Sequence, residues 1–525
     1  MSRPGFVLEV DERTPALLVH QGEGFRLERL PLGSRVIYPP ESLPGLTDLD
    51  RRIHQALTNP LGSEPLPALL KPGMRLTIVF DDLSLPLPPM RTPDIRQRII
   101  EHVLELAAAA GVDDVALIAA NALHRRMTPA ELKRTVGERV FRSFFPNQLV
   151  NHDAEDRAQL VEVGTTRHGE AVEINRRAAE SDLIVYVNIT LTAMNGGPKS
   201  VSVGLASYRS LKHHHNVHTL RHSKSFNDPP NSAMHHSYHR MAGVLDEHLK
   251  IFQIETTLNN DTFPAQVDFL NKREWEWSLK DQAAYLAVKR GNDLLPPRRR
   301  RQLWHRTAAP YGVTSVTAGA PAEVHDVTLR QVLRQQLTEV AGPADVGVFG
   351  LPYICPYNVN SIMNPILVMS LGLGYFFNLY RNQPIVRPGG VAIFYHPVRN
   401  EFHPVHHPSY IDFFEEVLAE TTDPAAIEAK YEEQFATDPW YVHLYRNSYA
   451  YHGVHPLYMW YWGAHAMEHL GDVIFVGGDR KTTSVMGFRS ASTLDDALEI
   501  ARDRVGRSPS ITYLHAPPMT MADVR

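Results

Sequence analysis

The chain has 525 residues, 43% hydrophobic and 21% charged, with a formal net charge of −5. That length exceeds what one hydrophobic core fills and predicts at least two domains, while the slightly acidic balance excludes the electrostatic footprint of a nucleic-acid binder. One cysteine, Cys355, excludes an internal disulfide framework and suits a reducing, cytoplasmic setting.

The start, Met1-Ser2-Arg3-Pro4-Gly5, lacks a signal peptide's apolar core. Residues 1 to 70 are expected as short strands and loops with proline-rich connections such as Tyr38-Pro39-Pro40. Leu76 to Phe80 is a buried strand that ends in Asp81-Asp82, and carboxylates at the end of a parallel strand sit where α/β proteins build their sites. Ile95 to Ala110 is an amphipathic helix stopped by Gly111. Asp114 to Ala120 is the next strand, running into Asn121 to Thr128, and Thr128 with Glu131 forms a capping box. Strand, helix, strand, helix in this order predicts a parallel, doubly wound sheet.

Leu160 to Val163 leads into the polar turn 164–169, followed by a strand at Ala171 to Ile174 and a short helix from Asn175 to Ser181. The strand Leu183 to Thr190 feeds Asn195-Gly196-Gly197-Pro198-Lys199-Ser200. Eight of the 27 histidines then follow, between His213 and His239. A helix from Met241 to Leu249 and a strand from Ile251 to Leu258 complete this half. Pro296-Pro297 and the run Arg298 to Arg301 mark a boundary, with the arginines expected on a solvated helix start.

A second α/β unit follows, with strands at Asp345 to Phe349, Val391 to Tyr395 and Asp472 to Val476. Its helices are expected at Ile411 to Glu420, Ala425 to Phe435, Tyr458 to Leu470 and Leu494 to Val505. The longest apolar run, Ile366 to Phe377, is too short to span a bilayer. Cys355, between Ile354 and Pro356, is expected as a buried structural thiol. The fold class is therefore α/β, as residues 1–300 and 301–525, each with a mostly parallel sheet flanked by helices and with the active site in the cleft between them.

Four groups of residues could carry chemistry. Asp81-Asp82 and His124 stand at adjacent strand ends, where His124 could serve as a general acid or base. The glycines of Gly196-Gly197-Pro198-Lys199 permit close backbone approach to a ligand, and the lysine could bind phosphate, form a Schiff base or carry a covalent cofactor; an ordinary turn is the plain alternative. The histidine-dense region has no paired spacing that fixes a zinc site, so a surface loop is its plain alternative. His465-Ala466-Met467-Glu468-His469 matches the H-x-x-E-H form of some zinc peptidases, with both histidines on one helical face.

Taken in order, the motifs resemble one family. Asp81-Asp82 after a strand, Leu123 to Thr128 with Glu131, Asn151-His152-Asp153, Gly164-Thr165-Thr166-Arg167 with Gly169, and Gly196 to Ser200 with His215 are similar to the lactate racemases. Tyr353 to Asn360, Val386 to Ile393, Val485 to Phe488 and Leu494 to Leu498 continue the resemblance, which covers about residues 70 to 520. It implies a racemase or epimerase that uses a nickel-pincer nucleotide supplied by cofactor-biosynthesis proteins, acting on a small hydroxy compound in the cytoplasm, with no nucleic acid or membrane partner. Lys199 would bear the cofactor covalently, and His215, sixteen residues on, would ligate nickel, whose square-planar preference the pincer meets. His124 would be one of two acid/base histidines, and Asp82 would lie near the substrate. Gly196 and Gly197 would approach the cofactor closely, and Thr165, Thr166 and Arg167 would lie near its nucleotide tail. Hydride removal and return at the alcohol carbon is then cofactor chemistry that the protein positions.

The departures are specific. Ile189 stands where the second histidine is expected, and Leu85, Met363 and Ile366 stand where a substrate carboxylate would find an arginine, a glutamine and a lysine. Without such partners a buried carboxylate is strongly disfavoured, so the expected substrate is a 2-hydroxy acid or related hydroxy compound other than lactate: a bulkier or neutral one, or one whose carboxylate other residues bind. The two other readings are a zinc hydrolase using His465 and His469, and a relative that binds cofactor or ligand without racemisation.

Overall fold

The computed structural model describes residues 3–84 and 88–525. Its first sheet has six strands in the order Val313–Gly319, Ile251–Leu258, Leu183–Ile189, Arg75–Asp81, Asp114–Ala120, Leu149–Asn151. All neighbours pair in parallel except the edge strand Val313–Gly319. Parallel strands need a crossover covering the sheet, and helix Ile95–Ala109 supplies one between Arg75–Asp81 and Asp114–Ala120. It lays Ile95, Ile99, Ile100 and Val103 on the face formed by Ile78, Phe80 and Val187. Val79, Ile118 and Tyr186 point to the opposite face, against Val201 and Met241. Burial on both faces explains the unbroken apolar runs. Parallel direction also brings the strand ends Asp81, Ala120 and Ile189 to one rim.

The second sheet has seven strands, ordered Phe6–Glu9, Arg35–Tyr38, Ile511–Leu514, Ala344–Gly350, Val386–Tyr395, Asp472–Val476, Arg489–Ala491. Only its outermost pair, Phe6–Glu9 with Arg35–Tyr38, is antiparallel. Helix Leu494–Val505 buries Leu494, Ala497, Leu498 and Ala501 in a cluster with Val346, Ile393 and Ile474. The sheets do not follow a single cut in the chain. Strands from residues 6–38 edge a sheet built otherwise from residues beyond 343, and Val313–Gly319 edges the first. Each edge strand pairs backbone groups that an open sheet would leave unpaired.

Local signals hold where the chemistry is local. Glu131 N donates to Thr128 Oγ1 at 3.3 Å and Thr128 N donates to Glu131 Oε2 at 2.8 Å, closing the capping box. Cys355 is buried, and burial pushes its thiol up to about 12, as a structural thiol requires. Tertiary packing sets the differences. Residues 1 to 70 contain a helix, Leu49–Thr58, besides their strands. The expected helix Tyr458 to Leu470 is two helices, His455–Tyr461 and Ala464–His469, broken at Gly463, where a Cβ would lie 2.8 Å from Met369 Sδ. The histidine-dense region is not a surface loop. It forms helices Lys199–Gly204, Tyr208–Leu211, Val217–Arg221 and Ala233–Asp246, with His214 and His235 buried. The run from Ile366 to Phe377 is helical and lies in the largest hydrophobic cluster. Among the described residues no helix is long and apolar enough to cross a membrane.

Candidate active site

A cavity of about 220 Å³ opens at the C-terminal rim of the six-stranded sheet. The rim contributes Asp81, Asp82, Asn188 and, beyond its strand, His124; the following turn and helices contribute Gly196, Lys199 and His215. Segments from the second half close it, including Tyr357, Tyr375, His455 and Trp462.

His124 and Asp82 form a pair. Asp82 is buried and its Oδ2 accepts from His124 Nδ1 at 2.8 Å, while its Oδ1 accepts from Ser84 N at 2.9 Å. Burial pushes the Asp82 carboxyl up, but the charge and hydrogen bond of His124 outweigh it and hold the group below its ordinary value. An ionised Asp82 fixes the proton on Nδ1, so Nε2 is the nitrogen left for chemistry at the cavity. Arg96 locks the strand end from below. It is buried, pairs with Asp94 at 2.8 Å and donates to the carbonyls of Asp81 and Asp82.

Asp81 behaves differently. Its carboxylate accepts from Asn188 Nδ2 at 2.8 Å and from Ile189 N at 2.8 Å, yet burial pushes it up to about 6. The folded state therefore holds a proton that the unfolded chain, with its ordinary value of 3.8, has released. Stability contributed by Asp81 is present below that ordinary value and is lost as pH rises through about 6, an effect on the order of 3 kcal/mol. In denaturation of the wild type and Asp81→Asn from pH 4.5 to 8, the difference is expected to shift in favour of the Asn variant as pH rises. A difference that stays flat would contradict this assignment.

The Gly-Gly turn is built around a buried carboxylate. Gly197 N donates to Glu255 Oε1, Thr190 Oγ1 donates to Glu255 Oε2 at 3.2 Å, and His325 Nδ1 lies 3.1 Å from the same oxygen. Gly196 and Gly197 have φ of +91° and +59°. A Cβ on Gly196 would lie 2.5 Å from Glu255 Oε1, and one on Gly197 would lie 2.5 Å from His325 Cγ. Glycine is thus required twice, by conformation and by space. Gly197→Ala is expected to destabilise the fold by about 1–3 kcal/mol; an unchanged denaturation midpoint would contradict that.

This turn launches helix Lys199–Gly204 and fixes Lys199 on the cavity wall. Lys199 is half-buried and, among the described residues, has no ion-pair partner. Burial pushes its ammonium down to about 8, against the opposing pull of Asp81. At pH 7 about a tenth of the amine is then neutral, far more than for an ordinary lysine, and the neutral form is what an amine nucleophile needs. His215 faces the same space, with Tyr458 and Trp462 each 5.5 Å away, ring centre to ring centre. Its Nδ1 meets His214 Nδ1 at 2.6 Å, which leaves Nε2 not engaged within the described chain. Burial pushes the His215 imidazole well down, reinforced by the charges of His214 and Lys199, so it is a neutral, ligating form.

Other residues singled out in the sequence fall elsewhere. Thr165, Thr166 and Arg167 do not line the cavity; Thr166 Oγ1 donates to Glu170 Oε2 at 2.6 Å, and Glu170 is shared with Ser237 and Arg240. His465 Nε2 meets Tyr380 OH at 3.1 Å and His469 Nε2 donates to Val386 O at 2.8 Å, while Glu468 is exposed. Among the described residues no group of three or more His, Cys, Asp or Glu side chains is arranged to hold a metal ion, so nothing supports a zinc centre on this helix. Ile189 is fully buried in the core cluster with Ile78 and Phe80, on the sheet face away from the cavity-lining Asn188. Met363 and Ile366 are buried and do not line the cavity. Leu85 lies outside the described residues.

No local motif points to His455. It is 2% exposed, sits edge-on to His124 with ring centroids 5.6 Å apart, and binds Tyr410 OH through Nδ1 at 2.6 Å. Only the packing of helix His455–Tyr461 brings it there.

Comparison with known proteins agrees with this layout. Residues 25–228 match the lactate racemase N-terminal domain. The lactate racemase of Lactiplantibacillus plantarum is 27% identical over 193 residues, which is 36% of this chain and 42% of that protein. The lactate racemase of Thermoanaerobacterium thermosaccharolyticum is 27% identical over 167 residues, 31% of this chain and 37% of that protein. The matched segment thus spans less than half of either relative. In fold the likeness is chain-long. The lactate racemase apoprotein from Thermoanaerobacterium thermosaccharolyticum aligns with a TM-score of 0.61 at 17% identity, over 97% of this chain and 99% of that one. A structural-genomics protein from Thermotoga maritima aligns with a TM-score of 0.54 at 13% identity, over 92% and 100%. Sequence over residues 25–228 and fold over the whole agree: this chain carries a segment that matches the lactate racemase N-terminal domain and shares the fold of a lactate racemase apoprotein.

Proposed function

We propose that the protein is a racemase or epimerase of a hydroxy compound, working with a nickel-pincer nucleotide held by Lys199 and His215. The observation that carries this reading is the meeting, in one cavity, of a lysine on a Gly-Gly turn and a histidine Nε2, both without a partner among the described residues, and a His–Asp pair. The residues fit such a group. Lys199 offers an amine pushed down to about 8 for covalent attachment, His215 offers a neutral nitrogen of the kind nickel takes, and the Gly-Gly turn holds Lys199 at the cavity wall. When bound, the cofactor supplies reversible hydride acceptance.

The chain's own groups handle the proton. His124 Nε2 takes the hydroxyl proton as the carbon–hydrogen bond is broken and returns it when that bond re-forms. Asp82 holds the ring through Nδ1 at 2.8 Å and stabilises the imidazolium that results. Position 189 cannot add a second imidazole from the other side, because its side chain belongs to the core. The same histidine then serves both directions.

Protein produced together with cofactor-biosynthesis proteins, incubated with single enantiomers of hydroxy acids, hydroxy amides and sugars, is expected to erode the optical purity of at least one. Full retention in every case, by a protein shown to carry nickel, would overturn racemisation. It would favour a relative that binds cofactor without turnover, the reading to which Ile189, Met363 and Ile366 point.

A further inference from the structure

The cavity's charge and its aromatic wall bear on what it accepts. Lys199 is the one lysine or arginine among the described residues that line it. The guanidiniums nearest in the chain are committed: Arg96 to Asp94 at 2.8 Å, and Arg125 to Glu131 at 2.7 Å and Val359 O at 3.0 Å. Two carboxylates, Asp81 and Asp82, stand at the reacting end. Attachment of a cofactor through Lys199 would remove the one available positive charge. A carboxylate on the carbon beside the hydroxyl would therefore be buried without a partner and next to like charge.

The opposite wall is aromatic and continuous. Tyr357 stands edge-on to His124 with ring centroids 5.0 Å apart, Tyr375 stacks on Trp462 at 5.8 Å, and Trp462 meets His215 at 5.5 Å. Tyr357 and Tyr375 are joined by a hydrogen bond of 2.9 Å between their hydroxyls. Only one of those two protons is used in the bond. The other is left as a neutral donor on this wall, and burial pushes both phenols up and keeps them protonated. A neutral donor beside aromatic faces suits an uncharged oxygen and an apolar group.

Resting on the function proposed above, we infer that the substrate is an uncharged secondary alcohol that carries an aromatic or branched apolar group and a neutral oxygen, such as an amide or ketone, in place of a carboxylate. The wall from Tyr357 to Trp462 receives the apolar group. The spare phenol proton receives the neutral oxygen, and His124 receives the hydroxyl.

The test uses matched probes on the cofactor-loaded protein: (R)-mandelamide, (R)-mandelate, (S)-lactamide and (S)-lactate. Binding is read from tryptophan fluorescence and turnover from chiral chromatography. Mandelamide is expected to bind tightest and to exceed mandelate by roughly 100-fold in affinity and in kcat/KM, the penalty of an unpaired buried charge. In the double variant Tyr357→Phe/Tyr375→Phe, which removes both hydroxyls and so every phenol donor of this pair, that preference for mandelamide is expected to shrink about tenfold, with mandelate unchanged. Mandelate or lactate binding as well as the amides would overturn the inference, whether or not turnover is seen. Amide-selective binding with no racemisation of any probe would instead sink the racemase reading and leave the substrate class standing.

Discussion

His124→Gln is expected to lower turnover by about 10²–10⁴-fold, the range for loss of a positioned acid/base group. Gln fills a similar volume and can still donate to Asp82, but it cannot carry a proton between substrate and solvent at neutral pH. The variant should keep its cofactor, because His124 touches neither the Gly-Gly turn nor His215 in any hydrogen bond of the described chain. The expected pattern is therefore a fall in kcat with KM and nickel content preserved. Asp82→Asn should follow in the same direction, because Asn no longer fixes the Nδ1 proton by charge. Wild-type kcat in His124→Gln would remove this histidine from the mechanism.

Lys199→Ala is expected to abolish turnover and cofactor retention while leaving the fold intact or more stable. Its ammonium is pushed down to about 8 by burial, so the charged form is disfavoured where it stands. No ion pair is broken by its removal, so no buried partner is left uncompensated. Lys199→Arg is the informative companion. A guanidinium stays charged above pH 12 or so and is no nucleophile, so retention of charge without an amine should not restore attachment. Thermal midpoints at or above wild type, with no bound nickel and no activity, are the expected outcome. Activity in Lys199→Ala would contradict the role of the lysine.

Much of the fold was legible because its signals are local. Leu76 to Phe80 and Asp114 to Ala120 are apolar runs ending in polar residues, and both are central strands of the first sheet. The capping box at Thr128 needs four residues and forms as expected. The candidate site was legible in part for the same reason. Asp82, His124, Gly196, Lys199 and His215 all border one cavity, because strand ends and the turn after a strand share a rim in a parallel sheet. What escaped was set by contacts distant in sequence. The glycine turn depends on Glu255, a strand away and almost sixty residues on. His455 and the tyrosine wall come from the other half of the chain, where aromatic residues in a helix look like ordinary core. Arg35–Tyr38, which carries Phe6–Glu9 on its outer side, pairs with Ile511–Leu514 near the chain's far end, and no local pattern announces a partner hundreds of residues away. Histidine abundance misled in the opposite sense: His214, in the turn after helix Tyr208–Leu211, and His235, in helix Ala233–Asp246, are both buried, so burial accounts for part of the cluster.

The central claim is that Lys199 carries a nickel-bearing group. It is tested most directly by purifying the protein from cells that also make the cofactor-biosynthesis proteins, then measuring nickel and the mass of the peptide containing Lys199. The account predicts close to one nickel per chain and a mass addition on Lys199 that disappears in Lys199→Ala. A folded protein with an unmodified Lys199 and no nickel would contradict it.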